Sequence, residues 1–332
     1  MIKEIIKIKL STNLPNFIFN RLSPGEKNVW GNCHFFINQD NIKECDFWII
    51  YDCLPKIEKA KCPPGNTILI TGEPPSVKTY SNRYIKQFGY IITSHEKLKH
   101  QKKIIKQQAL PWMIGNNYFK KNKSWDEKNY KNYDFFKKTE RPLKTKTISV
   151  ILSNKKGTSG HKKRTEFVKL LKSELGDHLD IFGIGFNEIR DKWDGIAPYK
   201  YHLAIENSVY PHYWTEKLSD AFLGFSFPIY YGCPNIKDYF TEDSLARIDI
   251  KNPEDSIKKI KEIISSDIYE KSTDAIERSR DWILNKYNFF PYLADFINDH
   301  KNDDKKIYIK LKPEKVQFLN KVKNIIRKKL IC

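Results

Sequence analysis

No window of this 332-residue chain approaches eighteen consecutive apolar residues, and Met1–Leu10 is punctuated by lysine and too short for the apolar region of a signal peptide. A membrane-spanning or signal-exported protein is therefore not expected. The six cysteines (Cys33, Cys45, Cys53, Cys62, Cys233 and Cys332) form no C-x-x-C pair and match no Cys/His zinc spacing. They read as buried, reduced thiols of a cytosolic protein, and no metal site is expected. The phosphate loop G-x-x-x-x-G-K-[ST] is missing, and Gly183-x-Gly185 is too short for a dinucleotide fingerprint. No RRM, helix-turn-helix, KH or zinc signature is present to explain the chain's basic charge as nucleic-acid binding.

What is present suits two α/β domains. At 39.3 kDa and 40% apolar residues the chain can bury two cores. Net charge is +19, from 59 Lys and Arg against 40 Asp and Glu. That excess could serve a nucleic acid, an anionic membrane or a phosphate-bearing substrate. Lysine, asparagine and isoleucine are abundant together throughout, so local concentrations of charge carry more information than the total.

In chain order, residues 2–10, 45–51 and 67–71 read as short apolar strands of a parallel sheet. Gly72-Glu73-Pro74-Pro75 follows the third. Its two prolines forbid immediate helix and hold Glu73 on a stiff turn at the strand's C-terminal end. A helix is predicted within 78–94, with a strand over 90–94. Residues 120–146, rich in Lys, Asn, Asp and Tyr and without periodicity, read as the interdomain linker. The second domain opens with a strand over 147–152 and the polar turn Ser153–Gly160. A helix over 161–175 follows, with Lys162, Lys163 and Arg164 near a turn suited to phosphate. A strand end at 180–183, a short strand over 244–250 and helices from Asn252-Pro253 onward follow. Trp282, Tyr287, Phe289 and Phe290 are expected to pack the closing helices back toward the first domain.

The most informative stretch is 199–234. Tyr201–Ile205 alternate like a buried strand, and Glu206-Asn207-Ser208 place polar side chains at its C-terminal end. After a loop, Thr215 is an N-cap for a helix with Glu216 and Lys217 in its first turn. A lysine there opposes the helix dipole, so a negative ligand is expected to offset it. Phe227–Gly232 reads as the next buried strand. The crevice outside the carboxyl ends of such strands is where ligands bind.

The run E-N-S-x-x-x-x-Y-x-T-E-K followed by P-I-Y-Y-G closely resembles the C-terminal signature of glycosyltransferase family 10, the α-1,3/4-fucosyltransferases. Weaker similarity reaches back to Thr71–Ser76, Ser153-Asn154 and Arg164. The resemblance implies a GT-B-like α/β fold, two Rossmann-like α/β domains facing across a crevice. The expected boundaries are 1–140 for an acceptor-side domain, 141–300 for a nucleotide-sugar domain and 301–332 for a basic tail. It implies inverting transfer of fucose from GDP-fucose to a hydroxyl of a glycan acceptor, with Glu73 as catalytic base. Arg164, Glu206, Asn207, Tyr213, Glu216 and Lys217 would bind the donor, with Ser153, Asn154 and Thr215 as secondary candidates. The chain has no Asp-x-Asp, the metal-diphosphate clamp of GT-A enzymes, so Arg164 and Lys217 would replace a metal. No cofactor is expected; a divalent cation would be at most stimulatory. Animal members carry an N-terminal membrane anchor, and its lack here suggests a bacterial or viral-type soluble enzyme, cytoplasmic or peripheral on the inner face of a membrane.

From Lys301 to Cys332 eleven Lys and Arg face three acids, and Val316, Leu319, Val322, Ile326 and Leu330 recur at helical steps. A basic amphipathic helix is predicted, contacting either an anionic lipid surface or the protein itself. Two alternatives stay open: a transferase of the same fold using another nucleotide-sugar, and a basic nucleic-acid-binding protein.

Overall fold

The computed structural model describes residues 4–119, 124–152, 159–301 and 304–314. The first half supplies β1 (Ile6–Thr12), α1 (Asn16–Asn20), β2 (Val29–Trp30), β3 (Cys33–Ile37), β4 (Phe47–Tyr51), β5 (Glu58–Cys62), β6 (Thr67–Ile70), α2 (Asn82–Ile85), β7 (Tyr90–Thr93) and β8 (Lys103–Ile105). A hairpin of β9 (Asn116–Phe119) and β10 (Ser124–Tyr130), then α3 (Tyr133–Lys138), leads to the second half. That half holds β11 (Lys146–Ile151), α4 (Ser159–Leu175), β12 (Leu179–Phe182), β13 (Tyr199–Ile205), α5 (Glu216–Leu223), β14 (Phe227–Tyr231), β15 (Ala246–Arg247), α6 (Pro253–Ser265), α7 (Ile268–Lys271), α8 (Thr273–Asn285) and α9 (Phe289–Asp299). The chain then forms β16 (Ile307–Leu311).

Two parallel sheets result. The first runs β2-β3-β1-β4-β6-β7-β8, parallel except for β2 against β3. The second runs β12-β11-β13-β14-β15, parallel throughout. Strands such as β4 (FWIIY) and β6 (TILI) are buried at every position, as strands covered on both faces must be. In both sheets the first strand sits inside, with its successors on either side. This creates a point where the strand order reverses, between β1 and β4 in one sheet and β11 and β13 in the other, and the space beyond the carboxyl ends there is the natural ligand site.

Three expectations are corrected. The 120–146 segment is no bare linker. Its described residues form β10 and α3, and Tyr133 and Phe136 of α3 are buried, hidden in sequence by the polar residues around them. The closing aromatics divide: Phe289 packs edge-on to Phe19 and Tyr51 and Phe290 to Phe35, all of the first half, whereas Trp282 and Tyr287 pack on Phe240 of the second. The tail does not begin as a helix. β16 pairs antiparallel with β5, burying Leu311, and Lys306 bridges to Asp46 at 2.7 Å. Cross-strand pairing on an open edge outweighs the charge that suggested a solvated helix. Residues 315–332, which carry the amphipathic pattern, lie outside the described residues.

Candidate functional site

A crevice of about 530 Å³ opens where the two reversal points face each other. From the first half it is lined by the segment after β1 (Asn13, Leu14, Pro15), by Ile18 of α1, by Tyr51 and Asp52 at the end of β4, and by Gly72 and Glu73 after β6. Leu110, Pro111, Met113 and Trp125 add an apolar wall. From the second half come Arg164, Asn207, Tyr213, Thr215, Glu216 and Lys217. Ser76 Oγ and Ser208 Oγ meet at 2.6 Å, joining the halves.

α4 can approach β13 closely because Gly160 has no side chain. A Cβ there would lie 2.0 Å from the Asn207 carbonyl oxygen. One turn later Arg164 is buried, and its Nη1 donates to the Ile205 carbonyl at 3.2 Å. Among the described residues its Nε has no hydrogen-bond partner, nor does the buried Oδ1 of Asn207. Burial lowers the proton affinity of the guanidinium, opposed by Glu206 and Glu216. Unpaired buried polar atoms cost about 1–3 kcal/mol each, and a ligand that pairs them recovers that loss.

α5 starts as the sequence predicts. Thr215 is the N-cap, its Oγ1 accepting from Lys217 N at 3.4 Å. Glu206 lies behind the crevice, fully enclosed, and accepts from Thr215 N at 2.8 Å and from Thr215 Oγ1 at 2.9 and 2.8 Å. It anchors the helix start from behind rather than reaching into the ligand space. Lys217 Nζ stands 3.1 Å from Glu216 and 3.3 Å from Glu206. Two carboxylates thus already stand beside this lysine and share the offset expected from a negative ligand. Lys192 bridges Asp220 at 2.6 Å and Glu216 at 3.8 Å. Burial pushes the Glu216 carboxyl up, but Lys217 and Lys192 overcome it and hold it near 2. Glu206 moves the other way, raised by burial and by Glu216 against the pull of Lys217 and Thr215. Asp220 also accepts from Met113 N at 2.9 Å and Ile114 N at 3.0 Å, tying α5 to the apolar wall.

Glu73 faces this group from the opposite side. Its side chain is exposed within the crevice, yet ringed by protein that excludes much of the water. That desolvation raises its proton affinity, and the negative charges of Asp52 and Glu216 add to it, while Lys217 and Lys78 oppose. His95 Nε2 lies 2.8 Å from the Glu73 carbonyl oxygen and steadies the turn.

The crevice therefore gathers Glu73, Arg164, Asn207, Tyr213, Thr215, Glu216 and Lys217, with Glu206 just behind. Ser153 and Asn154 lie outside the described residues. Sequence reasoning missed Asp52, Lys192 and Asp220; the position of Asp52 at the carboxyl end of a central strand was the available signal. Among the described residues no cluster of three or more His, Cys, Asp or Glu could hold a metal, and no helix is long and apolar enough to cross a membrane.

Residues 141–269 match the family model described as glycosyltransferase family 10 (fucosyltransferase) C-term. An alpha-(1,3)-fucosyltransferase of Helicobacter pylori is 34% identical over 79 residues, covering 24% of this chain and 16% of that protein. A human 4-galactosyl-N-acetylglucosaminide 3-alpha-L-fucosyltransferase 9 is 31% identical over 128 residues, covering 37% of this chain and 35% of that one. The matches thus span about a third or less of these curated relatives' length. Among solved structures, an alpha1,3-fucosyltransferase with GDP superposes with a TM-score of 0.51 at 17% identity, over 86% of this chain and 92% of that chain. That likeness shows the shared GT-B-like α/β fold. Over residues 141–269, then, the chain is similar to glycosyltransferase family 10.

Proposed function

We propose that the protein is an inverting glycosyltransferase that moves fucose from GDP-fucose to a hydroxyl of a glycan. The observation that carries this reading is the meeting, in one crevice, of a proton-hungry carboxylate on the first half with Arg164, Asn207 and Lys217 on the second. The acceptor oxygen attacks the anomeric carbon from the face opposite the nucleotide. Its new C–O bond forms as the bond to the diphosphate oxygen breaks, so configuration inverts. The hydroxyl proton passes to Glu73, and GDP leaves with the bonding electron pair. Arg164, Lys217 and the N–H groups at the start of α5 meet the charge that develops on the diphosphate, the form of electrostatic stabilisation with the largest share in many enzymes. In this reading Arg164 and Lys217 stand where a metal-dependent enzyme would place its cation, and a divalent cation would be at most stimulatory. Met113, Leu110, Pro111 and Trp125 offer the acceptor an apolar wall.

Peripheral contact with an anionic membrane is part of the reading. On the outward face of the β5–β16 pair, exposed Lys59 sits opposite exposed Lys310, and Lys61 lies over the Tyr308 ring at 5.2 Å. Like charges directly opposed are unfavourable until an anion meets them. Residues 315–332 add six Lys and Arg and no acid.

Thermal shift of the full chain against GDP-fucose, GDP-mannose, UDP-sugars and CMP-sugars tests the donor. GDP-fucose at a hundred times its Kd is expected to stabilise by about 2.7 kcal/mol. Preference for another nucleotide-sugar would reassign the donor within the fold. Steeply salt-dependent DNA or RNA binding with no nucleotide-sugar response would replace the enzyme reading.

A further inference from the structure

We infer that Asp52 is the positioning residue for Glu73: it aims the turn that carries the base and supplies a negative charge that the base faces. The inference rests on the reading of Glu73 as base and adds a residue to it.

Asp52 follows β4 at the reversal point of the first sheet and holds φ +62, a left-handed conformation that non-glycine residues rarely keep without compensation. The compensation is a set of bonds to the Glu73 turn and the segment after it. Oδ1 accepts from Gly72 N at 3.2 Å and from the Tyr80 hydroxyl at 2.6 Å. Oδ2 accepts from Lys78 Nζ at 2.8 Å, which also donates to the Asp52 carbonyl at 3.1 Å. Gly72 is packed so closely that a Cβ there would lie 3.2 Å from the Asp52 Cβ. One carboxylate thus grips both ends of the short loop that presents Glu73, and it lines the same crevice. Every side-chain partner of Asp52 flanks Glu73, while its backbone N–H donates to the Ile70 carbonyl of β6 at 2.7 Å; the strand end is thus fixed to the sheet and the carboxylate is left to hold the turn.

The charges facing Glu73 come from three elements. Asp52 stands after β4, Lys78 on the loop itself, and Glu216 and Lys217 at the start of α5. His95, after β7, touches the Glu73 backbone. Removing Asp52's charge deletes a like charge and leaves Lys78 without its counter-ion. Both changes favour the ionised form of Glu73 and weaken it as a base.

Two variants of the full chain give opposite signs. Asp52→Asn suits the left-handed conformation, since Asn adopts it readily, and retains an acceptor for Gly72 N–H. Lys78→Met leaves Asp52's charge unopposed. The readout is the ¹³C-carboxyl titration of Glu73, assigned by its disappearance in Glu73→Gln. The titration is expected to move to lower pH in Asp52→Asn and to higher pH in Lys78→Met. With GDP-fucose and N-acetyllactosamine as probes, Asp52→Asn should lower kcat about ten- to a hundred-fold, the cost of a misaimed group, while leaving GDP affinity unchanged. A Glu73 titration unmoved in both variants overturns the inference even where Glu73→Gln is inactive. An active Glu73→Gln removes the base itself, and Asp52's function with it, whatever the titration shows.

Discussion

Arg164 is the residue on which donor binding turns. Its guanidinium is buried and aimed into the crevice, with one N–H left unpaired, whereas Lys162, two positions earlier on the same helix, is exposed to solvent. Arg164→Ala should weaken GDP binding by on the order of a hundred-fold or more, since a buried charge-assisted contact contributes about 1.5–3 kcal/mol and its loss also undoes the local charge balance. Lys162→Ala should leave it unchanged. Calorimetric titration of both with GDP decides; equal affinities would remove Arg164 from the site. In the sequence the polar, glycine-containing turn marked Lys162, Lys163 and Arg164 as a group near a phosphate-suited turn, and it was the family resemblance that singled out Arg164 among them. For Asp52 the one local signal was its place at the carboxyl end of a central strand; its partners Gly72, Lys78 and Tyr80 lie 20 to 28 positions away, and no local pattern announces them.

The element that matters most is the start of α5, where Lys217, Lys192 and Arg164 are already balanced by Glu206, Glu216 and Asp220. A diphosphate entering this group adds negative charge beside carboxyls, one of which, Glu206, already holds its proton more tightly than usual. Binding must raise that affinity further, so the bound state carries more protons than the free state. GDP binding should therefore take up protons and strengthen as pH falls from neutral toward the raised Glu206 range, levelling off once that group is protonated in both states. Calorimetry in buffers of different ionisation enthalpy reads the proton count directly; zero or negative uptake would contradict this electrostatic account. The strand-loop-helix-strand unit from β13 to β14 was legible because alternation, an N-cap threonine and a buried apolar run all agree there. β16 was not. Its Ile-Tyr-Ile-Lys-Leu alternation was outweighed by the surrounding lysines, and its partner β5 lies some 250 residues earlier in the chain.

At the scale of the molecule, the last described segment ties the end of the chain to the first half. Gln87 Nε2 donates to the Lys312 carbonyl, and Glu314 accepts from Ser81 N, close to the loop that carries Glu73. Removing 302–332 should therefore destabilise the protein, because losing the buried Leu311 alone costs about 2–5 kcal/mol. Removing only 315–332 should leave the urea midpoint unchanged while weakening binding to phosphatidylserine vesicles, each basic residue near such a surface contributing about 1 kcal/mol. Unfolding by the shorter deletion would make 315–332 a docked structural segment and end the membrane proposal. The two-sheet plan itself was legible, since short apolar runs alternate with helical stretches; the crossings were not, because contacts such as Asp220 to the 113–114 backbone join distant segments. The central claim is that the base and the donor site stand on opposite halves of one crevice. It is tested most directly by Glu73→Gln, measured with GDP-fucose and the acceptor that a glycan array identifies. The account predicts a fall in kcat of about a hundred- to ten-thousand-fold with GDP-fucose affinity near wild type; wild-type turnover, or donor affinity lost in parallel with rate, would contradict it.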